Sequence, residues 1–343
     1  MAQQLTLGLD TFGDVTATDD GTMLTHAQTI RNIVDQAVLA DQLGIDHIAL
    51  GEHHRDDFAV SSPETVLAAI AARTSHIRLG TGVTVLSSDD PVRVFERFST
   101  LDALSNGRAE IILGRGSFTE SFPLFGFDLA DYEKLFEEKI DLFTHLLREE
   151  PVTWSGETRA SLVNQSVYPP TESGSITTWV GVGGSPESVV RAAGHGLPLM
   201  LAIIGGDPVR FAPYVDLYKR ALAQFDRPEL PVGAHSPGHI AATDDQAREE
   251  LWPHFRANRD RIGRERGWPP MTREDFDHEA TDGALMVGSP TTVAAKIVRA
   301  ATALGLSRFD LKYSNGTLPH EKLMTSIELY GREVAPMVRE QLA

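Results

Sequence analysis

Eight short runs rich in β-branched and apolar residues recur along the 343-residue chain, and the stretches between them carry helical periodicity. The runs are LTLGLDTF (5 to 12), HIALGEHH (47 to 54), IRLGTGVTVL (77 to 86), RAEIILGRG (108 to 116), TTWVGVGG (177 to 184), LPLMLAII (197 to 204), VGAHSPGHIAAT (232 to 243) and FDLKYSNG (309 to 316). This alternation predicts βα units around a parallel sheet. Eight such units close a (β/α)8 TIM barrel, and an open, doubly wound sheet is the competing arrangement. In IRNIVDQAVLADQLG, apolar Ile30, Ile33, Val34, Ala37, Val38 and Leu43 form one helical stripe, and Gly44 supplies a C-terminal stop. Two longer connections, 151 to 176 and 244 to 288, predict insertions after strands 4 and 7. No shift in composition and no Pro/Ser-rich linker divides the chain, so a single domain over 1 to 343 is expected.

Composition removes several classes of function. Lys and Arg total 31 against 48 Asp and Glu, a net charge of −17 with no basic patch, which argues against nucleic acid and membrane surfaces as partners. Without cysteine there are no disulfides, thiolate metal sites or cysteine nucleophiles. The start, MAQQLTLGLD, lacks the character of a signal peptide and no apolar run reaches membrane-spanning length, so a cytoplasmic protein is expected.

Four constellations can carry chemistry. GEHHRDDF, 51 to 58, puts Glu52, His53 and His54 at the end of the second strand, where alternation lets only one histidine face the barrel mouth. Spacing selects no converging metal site, although Asp56 or His239 would be needed to complete one. Otherwise His54 and Glu52 bond to each other or to loop backbone. VGVGGSPESVVRAAGHG, 180 to 196, runs a strand into Gly183 and Gly184, then Ser185 as helix N-cap, Pro186 and Ser188. Backbone N–H groups and the helix dipole there suit a phosphate, with Glu187 as an unfavourable neighbour. VGSPTTVAAKI, 287 to 297, shows that Gly-Ser-Pro also serves simply as a helix start. In LGRGSFTESF, Arg115 lies between two glycines, suited to phosphate or to an ion pair with Glu110 or Glu120. In LGTGVTVL, Gly80 and Gly82 weaken a strand unless something packs against its backbone. Neither GxGxxG, a Walker A motif nor GxSxG occurs.

Taken together, the stretch from EHHRDDFAVSSPETVL through LGTGVTVLSSDDPVRVFERFSTLDALSNGRAEIILGRGSFTESF, with GGSPESVVRAAGHGLPLML beyond it, resembles the bacterial luciferase-like flavin monooxygenase family. The resemblance implies a TIM barrel with a phosphorylated flavin, FMN, at its C-terminal mouth, reacting in its reduced form with dioxygen and a small organic substrate. It implies that His53 lies beside the flavin ring, that Arg115, Gly184, Ser185 and Ser188 hold the phosphate, and that a non-proline cis peptide joins Gly82 to Val83. The chain departs from luciferase at Gly184, where a glutamate precedes the serine, and at Gly114, where luciferase has a cysteine; the latter argues against light emission from an aldehyde. A separate reductase would supply reduced flavin, and a homodimer is expected. The alternatives are a deazaflavin (F420)-dependent dehydrogenase on the same barrel, a metal-dependent hydrolase, and a non-catalytic flavin-binding protein.

Overall fold

The computed structural model describes residues 5–116 and 118–343. All eight expected strands form: β1 (Thr6–Thr11), β2 (His47–Leu50), β3 (Arg78–Thr81), β4 (Glu110–Gly114), β5 (Thr177–Val182), β6 (Leu199–Ala202), β7 (Val232–Ile240) and β8 (Arg308–Lys312). Neighbours pair in parallel, and β8 returns to β1 with Asp10 opposite Lys312. The circle closes between β3 and β4 through a parallel bridge from Leu79 to Ala109, and a two-residue continuation of β3, Thr84–Val85, pairs with Leu113 and Gly114. The fold is therefore a TIM barrel and not an open sheet.

Helices α1 (His26–Gln42), α2 (Pro63–Ala71), α3 (Pro91–Ser105), α4 (Tyr132–Leu146), α5 (Pro186–His195) and α6 (Ala212–Gln224) follow the first six strands in turn. Both expected insertions are present. The first carries the hairpin Val152–Trp154 with Leu162–Gln165, and the second begins with the long helix α7 (Asp244–Arg266).

Alternation along each strand sorts the side chains. Leu7, Leu9, Ile48, Leu79, Ile111, Val180, Leu199 and Phe309 point outward and join one continuous core with the helices. Strands buried on both faces read as the nearly unbroken apolar runs seen in the sequence. The inward residues are different in kind. A charged layer occupies the barrel floor: Arg308 bonds to Asp310 at 2.6 and 3.0 Å and to Glu110, and Arg78 reaches Glu110 at 3.3 Å. Buried charges persist only when paired and hydrogen-bonded, as here. Above it, Ile112, Trp179 and Met200 pack with Val83.

That layer explains two glycines. A Cβ on Gly80 would lie 2.8 Å from the Glu110 side chain, and one on Gly114 would lie 2.5 Å from Val83. Close packing, not turn formation, requires glycine at both positions.

Candidate active site

Catalytic residues of a TIM barrel gather where strands end. Beyond β2 the chain crosses the rim through Glu52, His53 and His54, and the two imidazoles part. His54 Nε2 lies 2.9 Å from Glu52 Oε1, while Glu52 Oε2 accepts the Val85 N–H at 3.0 Å. This pair braces the β2 loop against the end of β3, as one of the sequence alternatives held.

His53 instead enters an aromatic cluster. Its ring lies 4.4 Å from Phe58 and meets Phe12 and Phe118 edge-on, both at 5.0 Å. The backbone N–H of His53 donates to Val60 O at 3.0 Å, and Nδ1 is 3.8 Å from Glu120 Oε1. Burial would push the Glu120 carboxyl up, but His53 and neighbouring backbone N–H groups hold it below the ordinary range. An anionic Glu120 on the Nδ1 side orients the ring. Nε2 makes no hydrogen bond among the described residues, and the His53 side chain is 11% exposed.

Helix α7 spans the rim beside this cluster. Arg55 forks onto Glu265 with two bonds of 2.7 Å, Arg261 Nε sits 3.2 Å from Asp57, and His254 is 2.8 Å from Thr317. One insertion helix thus ties the loops after β2 and β8.

The second cluster lies where β4 and β5 end. Ser185 caps α5, its Oγ accepting from Ser188 N at 3.4 Å and donating to Glu187 at 2.7 Å. Gly184 adopts φ 106°, a conformation that L side chains rarely take, and a Cβ on Gly183 would meet nothing within 4 Å. Arg115 and Arg191 both bond to Glu133, the latter at 2.9 Å, and Arg191 also donates to Ser188 Oγ at 3.3 Å. Tyr132 lies under the Arg115 guanidinium at 5.3 Å and donates its hydroxyl proton to Gly116 O at 2.7 Å.

The donor set fits a terminal phosphate: two guanidiniums, two hydroxyls and the first turn of a helix whose dipole favours an anion. Open space at Gly183 gives backbone access. Glu133 balances both arginines, and Glu137 also accepts from Arg191 Nε.

The ion-pair partner of Arg115 is neither Glu110, on the barrel floor, nor Glu120, beside His53; it is Glu133. Asp56 and His239 do not converge with the histidine pair, since exposed Asp56 pairs with Arg261 and buried His239 with Glu250 at 2.8 Å. Among the described residues no group of three His, Asp or Glu is placed to hold a metal. The Gly82–Val83 peptide is cis. Arg191, Glu133 and the three phenylalanines were not among the expected site residues, and Glu120, expected as a partner of Arg115, stands beside His53. Of these only Arg191 left a local signal, the spacing Ser185, Ser188, Arg191 along one helical face.

The profile of the luciferase-like monooxygenase family matches residues 11–308. An uncharacterised protein, y4vJ of Sinorhizobium fredii, is 26% identical over 96% of this chain and 97% of its own length. Among solved structures, the oxygenating constituent of 3,6-diketocamphane monooxygenase from the CAM plasmid of Pseudomonas putida, in complex with FMN, superposes with a TM-score of 0.77 at 19% identity, covering 97% of this chain and 98% of that one. An F420-dependent secondary alcohol dehydrogenase does so with a TM-score of 0.74 at 16% identity, covering 98% and 99%. At such identities the two structures share a fold, and the fold accommodates either cofactor.

Proposed function

Because the chain belongs to the luciferase-like monooxygenase family, we propose that it uses reduced FMN and dioxygen to oxygenate a small organic substrate. The observation that carries this reading is the convergence of Arg115, Arg191, Ser185 and Ser188 on one patch of the rim on which His53 also stands. Arg115 and Arg191 would hold the phosphate by charge, Ser185 and Ser188 by hydroxyl bonds, and Gly183 and Gly184 by close backbone approach. Reduced flavin, when bound, supplies the electrons that activate dioxygen.

The remaining work falls to the chain itself. His53 holds or moves a proton at Nε2, with Glu120 orienting the ring from the Nδ1 side. Phe12, Phe58 and Phe118 surround it with apolar surface and keep water from the reacting oxygen. Helix α7 covers the mouth on one side. Glu52 and His54 hold the loop in place and take no part in the chemistry. With no GxGxxG pattern in the chain, reduced flavin comes from a separate reductase. A cytoplasmic homodimer completes the proposal.

The test is anaerobic titration of the purified protein with reduced FMN, with reduced F420 in parallel, followed by addition of oxygenated buffer and candidate ketones, thioethers and alkenes. Oxygen uptake that depends on both reduced FMN and an organic compound, with the oxygen recovered in product, supports the reading. Hydride transfer from reduced F420 without oxygen uptake makes the chain a dehydrogenase, and FMN binding without turnover makes it a flavin carrier.

A further inference from the structure

Besides His53 at the rim and His47 beside Glu110 on the charged floor, the barrel interior holds a third imidazole. His235, the inward residue of β7, places Nδ1 2.6 Å from Oδ2 of Asp10 on β1. Asp10 is 2% exposed, and its other oxygen, Oδ1, is buried without a partner. His235 Nε2 makes no hydrogen bond among the described residues, and the side chain is 12% exposed. The pair stands between the charged floor and the aromatic rim: Asp310 and Lys312 on β8 face it, and the Phe12 ring is 6.4 Å from the His235 ring. Met200 and Trp179, farther round the barrel, bring no charge.

We propose that Asp10 and His235 form a second proton-holding pair, in which Asp10 orients the imidazole and His235 Nε2 donates to a hydrogen-bond-accepting oxygen or nitrogen of whatever ring-bearing molecule occupies the mouth. The inference rests on the oxygenase reading for the identity of that occupant and on nothing but geometry for the pair itself. An Asp–His contact of 2.6 Å fixes Nδ1 as the bonded nitrogen and leaves Nε2 as the working one. Burial alone would push the imidazolium down; the Asp10 carboxylate, helped by Asp310 and opposed by Lys312, more than reverses this and raises the pKa above the ordinary value. His235 therefore keeps its proton to higher pH than a free imidazole and presents a cationic donor. His53 stands at the rim after β2 and His235 on β7, so the two imidazoles reach the mouth from different strands. Lys312 does not compete for this role, because its ammonium is bound to Asp14 at 3.0 Å and to Ser314 O.

The experiment is a nitrogen-15 histidine NMR titration of the whole chain, first without ligand and then with oxidised FMN or with acetophenone. Without ligand, His235 is expected to titrate above the ordinary imidazole value, and Asp10→Asn to lower it. Loading either probe is expected to move the His235 Nε2 signal more than that of His195 on the outer helix α5. A wild-type His235 titrating at or below the ordinary value, or unaffected by Asp10→Asn in a folded variant, overturns the pair. Normal titration with an Nε2 signal indifferent to both probes makes the pair a structural strut and also overturns the proposal. A signal moved by acetophenone in a protein that fails to bind FMN supports the pair while removing the flavin reading.

Discussion

Arg115 and Arg191 reach opposite oxygens of one carboxylate, that of Glu133, although one follows β4 and the other lies on α5. A pair of cations held this close needs an anion between them, and Glu133, more than half exposed, is a replaceable one.

Either arginine should therefore matter to phosphate and not to the flavin ring. Arg115→Ala and Arg191→Ala are each expected to weaken FMN binding by about 1.5 to 3 kcal/mol, the range for a lost charged hydrogen bond, while leaving riboflavin affinity unchanged. Calorimetric titration with the two ligands decides it. Equal losses for both would mean that the arginines serve the α4–α5 contact alone.

Substitution of His53 separates binding from chemistry. His53→Ala should retain FMN, since its contacts are aromatic and its carboxylate partner lies off the phosphate patch. Product formation should fall by roughly 10² to 10⁴, the usual scale of a positioned acid or base, with hydrogen peroxide released in place of oxygenated product. Oxygen electrode and peroxide assays run together give the ratio. An unchanged ratio in a folded, FMN-loaded variant would make His53 a bystander.

Packing at the barrel centre predicts a compensating pair. Gly114→Ala drives a methyl group to 2.5 Å from Val83 and should destabilise by about 1 to 3 kcal/mol, as overpacked cores do. Val83→Ala in the same chain should recover part of that loss, and a double-mutant cycle by urea denaturation should show coupling of 0.5 kcal/mol or more, within the range of about 0.5 to 3 for touching residues. Additive effects would place the strain elsewhere.

Two buried lysines set a pH dependence. Burial pushes Lys139 and Lys296 each down to about 8, and their amino groups donate hydrogen bonds at 2.6 Å to backbone carbonyls, Ser87 O for the first and Ala280 O and Leu285 O for the second. Unfolded lysine titrates near 10.4. Between about 8 and 10.4 the unfolded chain holds protons that the folded chain has released, so stability rises with pH across that window. Lys139→Met should flatten the rise of the urea midpoint with pH and leave the Lys296 contribution in place. A slope identical to wild type would show that Lys139 keeps its ordinary proton affinity.

The (β/α)8 architecture was legible because its signals are local. Strands buried on both faces read as apolar runs, helices as stripes such as Ile30, Ile33, Val34 and Ala37, and helix starts as Ser185-Pro186 and Ser289-Pro290; each depends on residues within a turn or two. His53, Arg115 and Ser185 stood out for the same reason, as strand-end residues of useful chemistry beside glycine or a cap. The partners that give them their properties did not. Glu120 beside His53, Glu133 between the arginines, and Asp10 against His235 are brought together by closure of the barrel and by the placement of loops and helices around it, which sum over the whole chain. A strand's alternation states that Asp10 and His235 both face inward. Which inward residues meet is a matter of strand stagger, and that is settled only when β8 pairs with β1 and the last bridge closes between β3 and β4.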